Sequence, residues 1–388
     1  MPEKLKKLFT FKDFGQGEIL IYALVVSIFI HYVLAAALLI IIAFAVLING
    51  KYRRMLKNLK YRFVGYAFCL LTALVAAINN NWIGLLCSFG AFVIFITGHF
   101  AHSVMTTKVY ETCLNLCCVC SYFVSVYAVI ERICFWKIPT YRCFGLFFNP
   151  NYLATVMATV IIICAYKVIA RQGNQLFYYI TAAVCVLPLY FSGSMFIWIE
   201  VFIAVAVLLS LTNKHNVLSI FLIVVSFCCA IIYFAPDIIP RFSESSETLQ
   251  NRLRIWELSI EAVKLNPIFG KGFLTYYHMF RDFSPAYPTT HAHNILLEPV
   301  LSFGIAGTLT LVAFLALYYR RLLYCKSYLS RSHISALVLA LTAGVMVHSL
   351  VDMTMLWIQT AALYAIIMAG VGADEKNLNE IRAQQNNN

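Results

Sequence analysis

Residues 18–50 read EILIYALVVSIFIHYVLAAALLIIIAFAVLING, an apolar run interrupted by a single ionisable ring, His31. A bilayer core needs about 20 apolar residues of helix, so a run of roughly 30 holds two short spans with a turn near His31. Basic residues flank both ends: Lys4, Lys6, Lys7 and Lys12 before it, and Lys51, Arg53, Arg54, Lys57, Lys60 and Arg62 after it. Positive residues gather on the cytoplasmic side of a membrane, so the run reads as a hairpin with both ends inside. It is too long for a signal-peptide core and lacks a small-residue cleavage site, which makes it a retained anchor.

The same pattern repeats along the chain. Apolar runs at 63–79, 82–98, 109–130, 151–170, 176–192, 194–211, 216–234, 292–319, 333–351 and 353–372 are each near the spanning length. The expected fold class is all-α: a polytopic integral membrane protein of about 12 transmembrane helices. It forms a single membrane domain over 1–388 with both termini cytoplasmic. Composition agrees, with 62% hydrophobic and 12% charged residues and a mean hydropathy of +0.80. The larger share of the 29 Lys and Arg falls in segments this topology puts inside, so the net charge of +12 follows from topology and implies no nucleic-acid partner.

Two outer segments are longer than the rest, Glu131 to Asn149 and the loop 235–290 between the ninth and tenth spans. Loops of that length in compact proteins carry function or are disordered. Within the second, 248–266 has the pattern of an amphipathic helix, ended by Pro267 and Gly270. At about 100° per residue, Leu249, Leu253, Trp256, Ile260 and Val263 form a stripe expected to lie against the membrane body. Arg252 borders that stripe. Arg254 projects away, beside Glu257 and Glu261.

Four segments carry a family resemblance: Asn251-Arg252-Leu253-Arg254-Ile255-Trp256, then Asn266-Pro267-Ile268-Phe269-Gly270-Lys271-Gly272, then His291-Ala292-His293-Asn294, then Gly304 and Gly307. Upstream, Arg142 precedes Gly145-Leu146-Phe147-Phe148-Asn149-Pro150-Asn151. In order and spacing they resemble the O-antigen ligase and polymerase family. One departure stands out. The family often has a Ser-Arg pair where this chain reads Phe191-Ser192-Gly193-Ser194-Met195, so the work of that arginine must fall elsewhere or be absent.

The resemblance implies a glycosyltransferase of the bacterial cytoplasmic (inner) membrane, needing no metal or other cofactor. Its donor is a polyprenyl-diphosphate-linked oligosaccharide, met on the outer face among membrane lipid, and its acceptor a glycan, lipid or protein. That would place it in O-antigen, capsule or other polysaccharide biosynthesis. Read independently, such a transfer needs a base for the attacking hydroxyl and cations for the departing diphosphate. His293 suits the first. Arg142 and Arg252 suit the second, because the guanidinium fork matches phosphate oxygens better than Lys137 or Lys271 can. On this reading His293 sits in the first turn of a membrane helix, whose dipole keeps the ring neutral and attracts the diphosphate.

Several neighbours have supporting roles open to them. His291 and His293 differ by about 200° on a helix, so both face one cavity only if the segment is extended. Asn294 follows directly, and Glu298 could orient His293 or pack as a protonated acid, with Pro299 kinking the helix. His348 and Asp352 read as a local i, i+4 pair or as part of an acceptor or phosphate site. Gly304 and Gly307 read as close helix packing. Glu111 and Glu200, inside spans, should hydrogen-bond neighbouring helices. Tyr276, Tyr277 and Tyr287 could stack on sugar rings.

Other readings compete. The His-x-His pair with Asp352 or His348 could bind zinc, although the spacing suits an extended segment. A lipid-linked glycan transporter or flippase would also have many spans, but paired repeats with broken mid-membrane helices are expected there. A structural scaffold gives no reason for histidine and arginines to converge. Among 13 cysteines, most lie inside spans, including Cys113, Cys117 and Cys120 on one face. Cys134 and Cys143 share an outer loop and are the disulfide candidates.

Overall fold

The computed structural model describes residues 15–56, 62–238, 245–280, 288–329 and 332–386, which are helical with no strand among them. The break at His31 is where the sequence placed it. Helices α1 (Gln16–Ile28) and α2 (Tyr32–Ile48) meet there, and the His31 ring accepts from the Val33 N–H to cap α2. A short α3 (Gly50–Leu56) follows, then α4 (Arg62–Ile78), α5 (Trp82–Val104) and α6 (Thr107–Cys134). The series continues with α7 (Pro150–Ile169), α8 (Gln175–Phe191), α9 (Ile197–Leu211), α10 (His215–Phe234), α11 (Ser245–Leu265) and the short α12 (Thr275–Met279). The chain ends with α13 (Leu297–Tyr328), α14 (Ile334–His348), α15 (Ile358–Met368) and α16 (Val371–Asn386).

Among the described residues, α5, α6, α7, α10 and α13 are long and apolar enough to cross a membrane, and α1, α2, α4, α8, α9 and α14 are shorter apolar helices. α15 lies where the last span is expected. The main core is built on α7, most of whose residues are buried against α8, α9, α14 and α15. By contrast, α10 has no buried residue. Glu111 bonds across helices as expected: it accepts from Tyr166 Oη at 2.6 Å and pairs with Lys167. The cysteines are all free: Cys134 is exposed, Cys143 is buried, and no disulfide joins them.

The amphipathic helix is present as α11, but only part of the expected stripe turns inward: Trp256 and Val263 pack against a small buried cluster. Leu249, Leu253 and Ile260 are about half exposed, whereas Ile255, Ser259 and Ala262 are buried with Arg252 on the same side. Small side chains at 259 and 262 let α11 lie close on α13, and Ile255 and Ala262 join Tyr276, Met279, Ala292 and Leu301 in a second small core. Tyr276 is thus buried and offers no ring to a sugar, Tyr277 is exposed, and Tyr287 lies outside the described residues.

α13 is broken, and the sequence expectation for its glycine is corrected. Gly304 takes φ +61° and ψ −172°, a conformation that only glycine adopts without strain. The chain segment after α11 fills the break. Ile305 and Ala306 donate their N–H groups to the Pro267 and Ile268 carbonyls at 2.9 Å each, and Gly272 N–H donates to Ser302 O at 2.8 Å. A Cβ on Gly304 would collide with the Ile268 carbonyl and Phe269 nitrogen. Gly304 therefore admits loop backbone rather than a neighbouring helix, while Gly307 sits against Phe303 and near Leu71 of α4. Pro299 causes no kink, since it falls in the first turn of α13, where its missing N–H is not needed.

Candidate functional site

Glu131, at the end of α6, organises the loop that delivers Arg142. Its carboxylate accepts from Tyr141 Oη at 2.8 Å, from the Phe144 N–H at 3.2 Å and from the Gly145 N–H at 2.8 Å. Arg142 then donates through Nε to Ser192 O at 2.7 Å and through Nη2 to Asn151 Oδ1 at 2.5 Å. Asn149 caps α7 through the Asn151 N–H, with Pro150 at the first helical position. That cap leaves the Asn151 amide free of its own backbone, and Nδ2 donates to Asp352 Oδ2 at 2.5 Å.

Asp352 lies between α14 and α15 and is where these interactions meet. Oδ1 sits 2.9 Å from His293 Nδ1, and Oδ2 is 3.8 Å from Arg252 Nη2 on α11. Burial alone would raise this carboxyl. The hydrogen bond and charge of His293, with Arg252 and His348 nearby, outweigh it and hold Asp352 well below the usual carboxylate range.

His293 is not in a helix, which corrects the helix-end reading of its electrostatics. α13 begins at Leu297, and His293 has φ +50°, a left-handed backbone that costs a non-glycine residue roughly 1 kcal/mol. Four contacts enforce it. Glu298 Oε2 accepts from the Ala292 N–H at 2.7 Å, and His291 Nδ1 accepts from the His293 N–H at 3.1 Å. Ile295 N–H donates to Ser349 O at 2.7 Å, and Asn294 Nδ2 donates to Leu350 O at 2.9 Å. Asn294 also caps α13 through the Leu296 and Leu297 N–H groups.

Glu298 accordingly holds the loop backbone and Ser302, not the His293 ring. The helical separation of His291 and His293 does not apply either, since their rings lie 4.1 Å apart. Burial, with His293 beside it, pushes His291 down to about 3, so the ring is neutral and its Nδ1 can accept. The Asp352 N–H donates to the His348 carbonyl at 3.1 Å, the expected local i, i+4 bond, but the side chains do not meet; His348 Nδ1 faces Glu200 Oε2 at 2.8 Å.

The far side of the His293 ring meets Thr289, whose Oγ1 lies 2.9 Å from Nε2. Sequence reasoning missed Thr289 and gave Asn151 no role of its own, and neither carries a signal beyond closeness to a motif. Arg142, Arg252, His293, His348, Asn151 and Asp352 all line a cavity of about 300 Å³, together with Met195 at the turn after α8. Arg254 is exposed and takes no part. His291, His293 and Asp352 each offer one ligand atom, all within 4.8 Å of one another, a set able to hold a metal ion.

Residues 177–312 match the family model described as O-antigen ligase. Over that stretch, about a third of the chain, the protein is similar to the O-antigen ligase family. It runs from α8 into α13 and includes Arg252, His293, Gly304 and Gly307, while Arg142 and Asp352 lie outside it. No curated protein matches the chain. This likeness, with five helices among the described residues long and apolar enough to cross a membrane, points to a multi-pass membrane protein.

Proposed function

We propose that this protein transfers glycan from a polyprenyl-diphosphate-linked donor to a hydroxyl of a glycan, lipid or protein acceptor, as a ligase or polymerase. The reaction is placed on the outer face of the bacterial cytoplasmic membrane, at the end of the bundle bearing His293. The carrying observation is the line Asp352, His293, Thr289, whose first two members line one cavity with two arginines. With its Nδ1–H donating a hydrogen bond to the Asp352 carboxylate, the His293 ring keeps the Nε2 lone pair for a hydroxyl. Thr289 Oγ1 marks where such a hydroxyl sits.

Chemically, the acceptor O–H gives its proton to Nε2 as its oxygen bonds to the anomeric carbon. The bond from that carbon to the diphosphate oxygen breaks, and the electron pair leaves with the polyprenyl diphosphate. Arg142 and Arg252 stabilise the charge gathering there, in surroundings that screen it weakly. Asn151 couples the two halves, since it touches both Arg142 and Asp352.

The cluster of His291, His293 and Asp352 favours a second reading, in which a zinc-like ion activates the acceptor. Reconstituted vesicles loaded with lipid-linked donor separate the two. Under the base reading, His293→Ala abolishes transfer, donor binding persists, and wild-type activity survives a strong chelator. Loss of activity on chelation with recovery on adding zinc favours the metal. Full transfer by His293→Ala sinks both readings.

A further inference from the structure

Glu200 of α9 and His348 of α14 are both buried to within 1% of fully, with His348 Nδ1 2.8 Å from Glu200 Oε2. The two helices are pressed together at this point. A Cβ on Gly344 would come within 2.6 Å of the Glu200 carbonyl oxygen. Ionisable groups so far from water are costly, and an apolar pair of similar volume would join the helices at least as well. Packing therefore does not account for them.

His348 has a second face. It lines the same cavity as Arg142, Arg252 and His293. With Nδ1 turned to Glu200, Nε2 is the ring nitrogen left to the cavity side. The cavity wall also carries Asp352 and Glu247, which offset the two arginines, and Met195 brings no charge. With Nδ1 facing the buried carboxyl of Glu200, an N–H on Nε2 adds a donor to the cavity wall, which tips that balance toward binding an anion.

We propose that His348, positioned by Glu200, is a third diphosphate-binding group of this cavity, donating from Nε2 to a phosphate oxygen of the lipid-linked donor. The inference rests on the function proposed above, and it concerns binding rather than the transfer step. Glu200 touches no substrate and acts through the ring.

The test measures binding of farnesyl diphosphate, and of farnesol as the phosphate-free control, to the purified full-length protein. The double variant Glu200→Leu with His348→Leu replaces the buried pair by apolar side chains. It is expected to bind farnesyl diphosphate roughly 10-fold or more weakly, the value of a charge-assisted hydrogen bond, with farnesol binding unchanged. Glu200→Gln alone, which keeps the shape, is expected to weaken diphosphate binding roughly 3-fold or more, and it carries the test if the double variant does not fold. Wild-type diphosphate binding by the folded double variant, or by Glu200→Gln in its place, overturns the proposal, as does equal loss of farnesol binding. Arg142→Ala and Arg252→Ala, run alongside, report on the parent reading: if both bind farnesyl diphosphate as wild type, that reading fails independently of His348.

Discussion

Asp352→Asn is the most informative single change in this protein. The carboxylate fixes the His293 tautomer through Nδ1 at 2.9 Å, receives Asn151 at 2.5 Å and faces Arg252 at 3.8 Å. An asparagine keeps the volume but can present its NH₂ to Nδ1, which moves the ring proton to Nε2 and removes the base. The equivalent change in a serine protease triad lowers kcat about 10⁴-fold, so a fall of roughly 10³ to 10⁴ is expected here, or about 4 to 5.5 kcal/mol of barrier. The arginine contact pulls the other way. At 3.8 Å and an effective dielectric of about 20, the attraction between Asp352 and Arg252 is about 4 kcal/mol before desolvation is charged against it. Removing it leaves Arg252 more available to the diphosphate, so donor KM should stay level or fall. Steady-state transfer in proteoliposomes with varied donor separates the two effects. A variant with more than a tenth of wild-type kcat, or one whose whole loss sits in KM, would refute the tautomer argument.

Arg252→Ala is expected to raise donor KM about 10-fold or more, and Arg254→Ala to stay within about twofold, because the first arginine lines the cavity and the second is exposed. Equal effects would contradict the helix face. Gly304→Ala should destabilise the protein by roughly 3 to 5 kcal/mol, combining backbone strain with two weakened hydrogen bonds, read as a drop in melting temperature in detergent. Acid should destabilise it in two stages. As pH falls below 6.5, the unfolded chain takes up the proton that folded His291 refuses down to about 3, at about 1.4 kcal/mol per pH unit. Asp352, with its folded value depressed, contributes stability that is present above about pH 4 and lost further down. Thermal melts of wild type and His291→Gln between pH 7 and 4 check this, and identical slopes would contradict it.

The first hairpin was legible because a long apolar run admits few placements and His31 is its one polar break. The position of α11 was legible too, and so was the inward turn of Arg252. Its buried face was so only in part, since an apolar stripe names the core only where water is the alternative. In a membrane protein Leu249, Leu253 and Ile260 can stay exposed while small residues take the tight contact. The α13 break escaped notice because Gly304 is read by backbone donated from 267–272, more than 30 residues upstream, which no local window contains. Asp352 was paired with His348 by helical spacing. The chain leaves the helix at His348, and that exit hands Asp352 to His293 and His348 to Glu200.

The stitch between 267–272 and 302–306 also turns the intervening polypeptide into a closed ring with a fixed base. Lengthening such a ring costs only its closure entropy, about 0.6 kcal/mol for each doubling. His293, tethered near the base through Ser349, Leu350 and Asp352, keeps its place whatever is added farther along. Evolution can therefore lengthen the chain between Phe280 and Thr289, leaving the packed Tyr276 and Met279 in place, to suit bulkier or smaller acceptors with little penalty in stability.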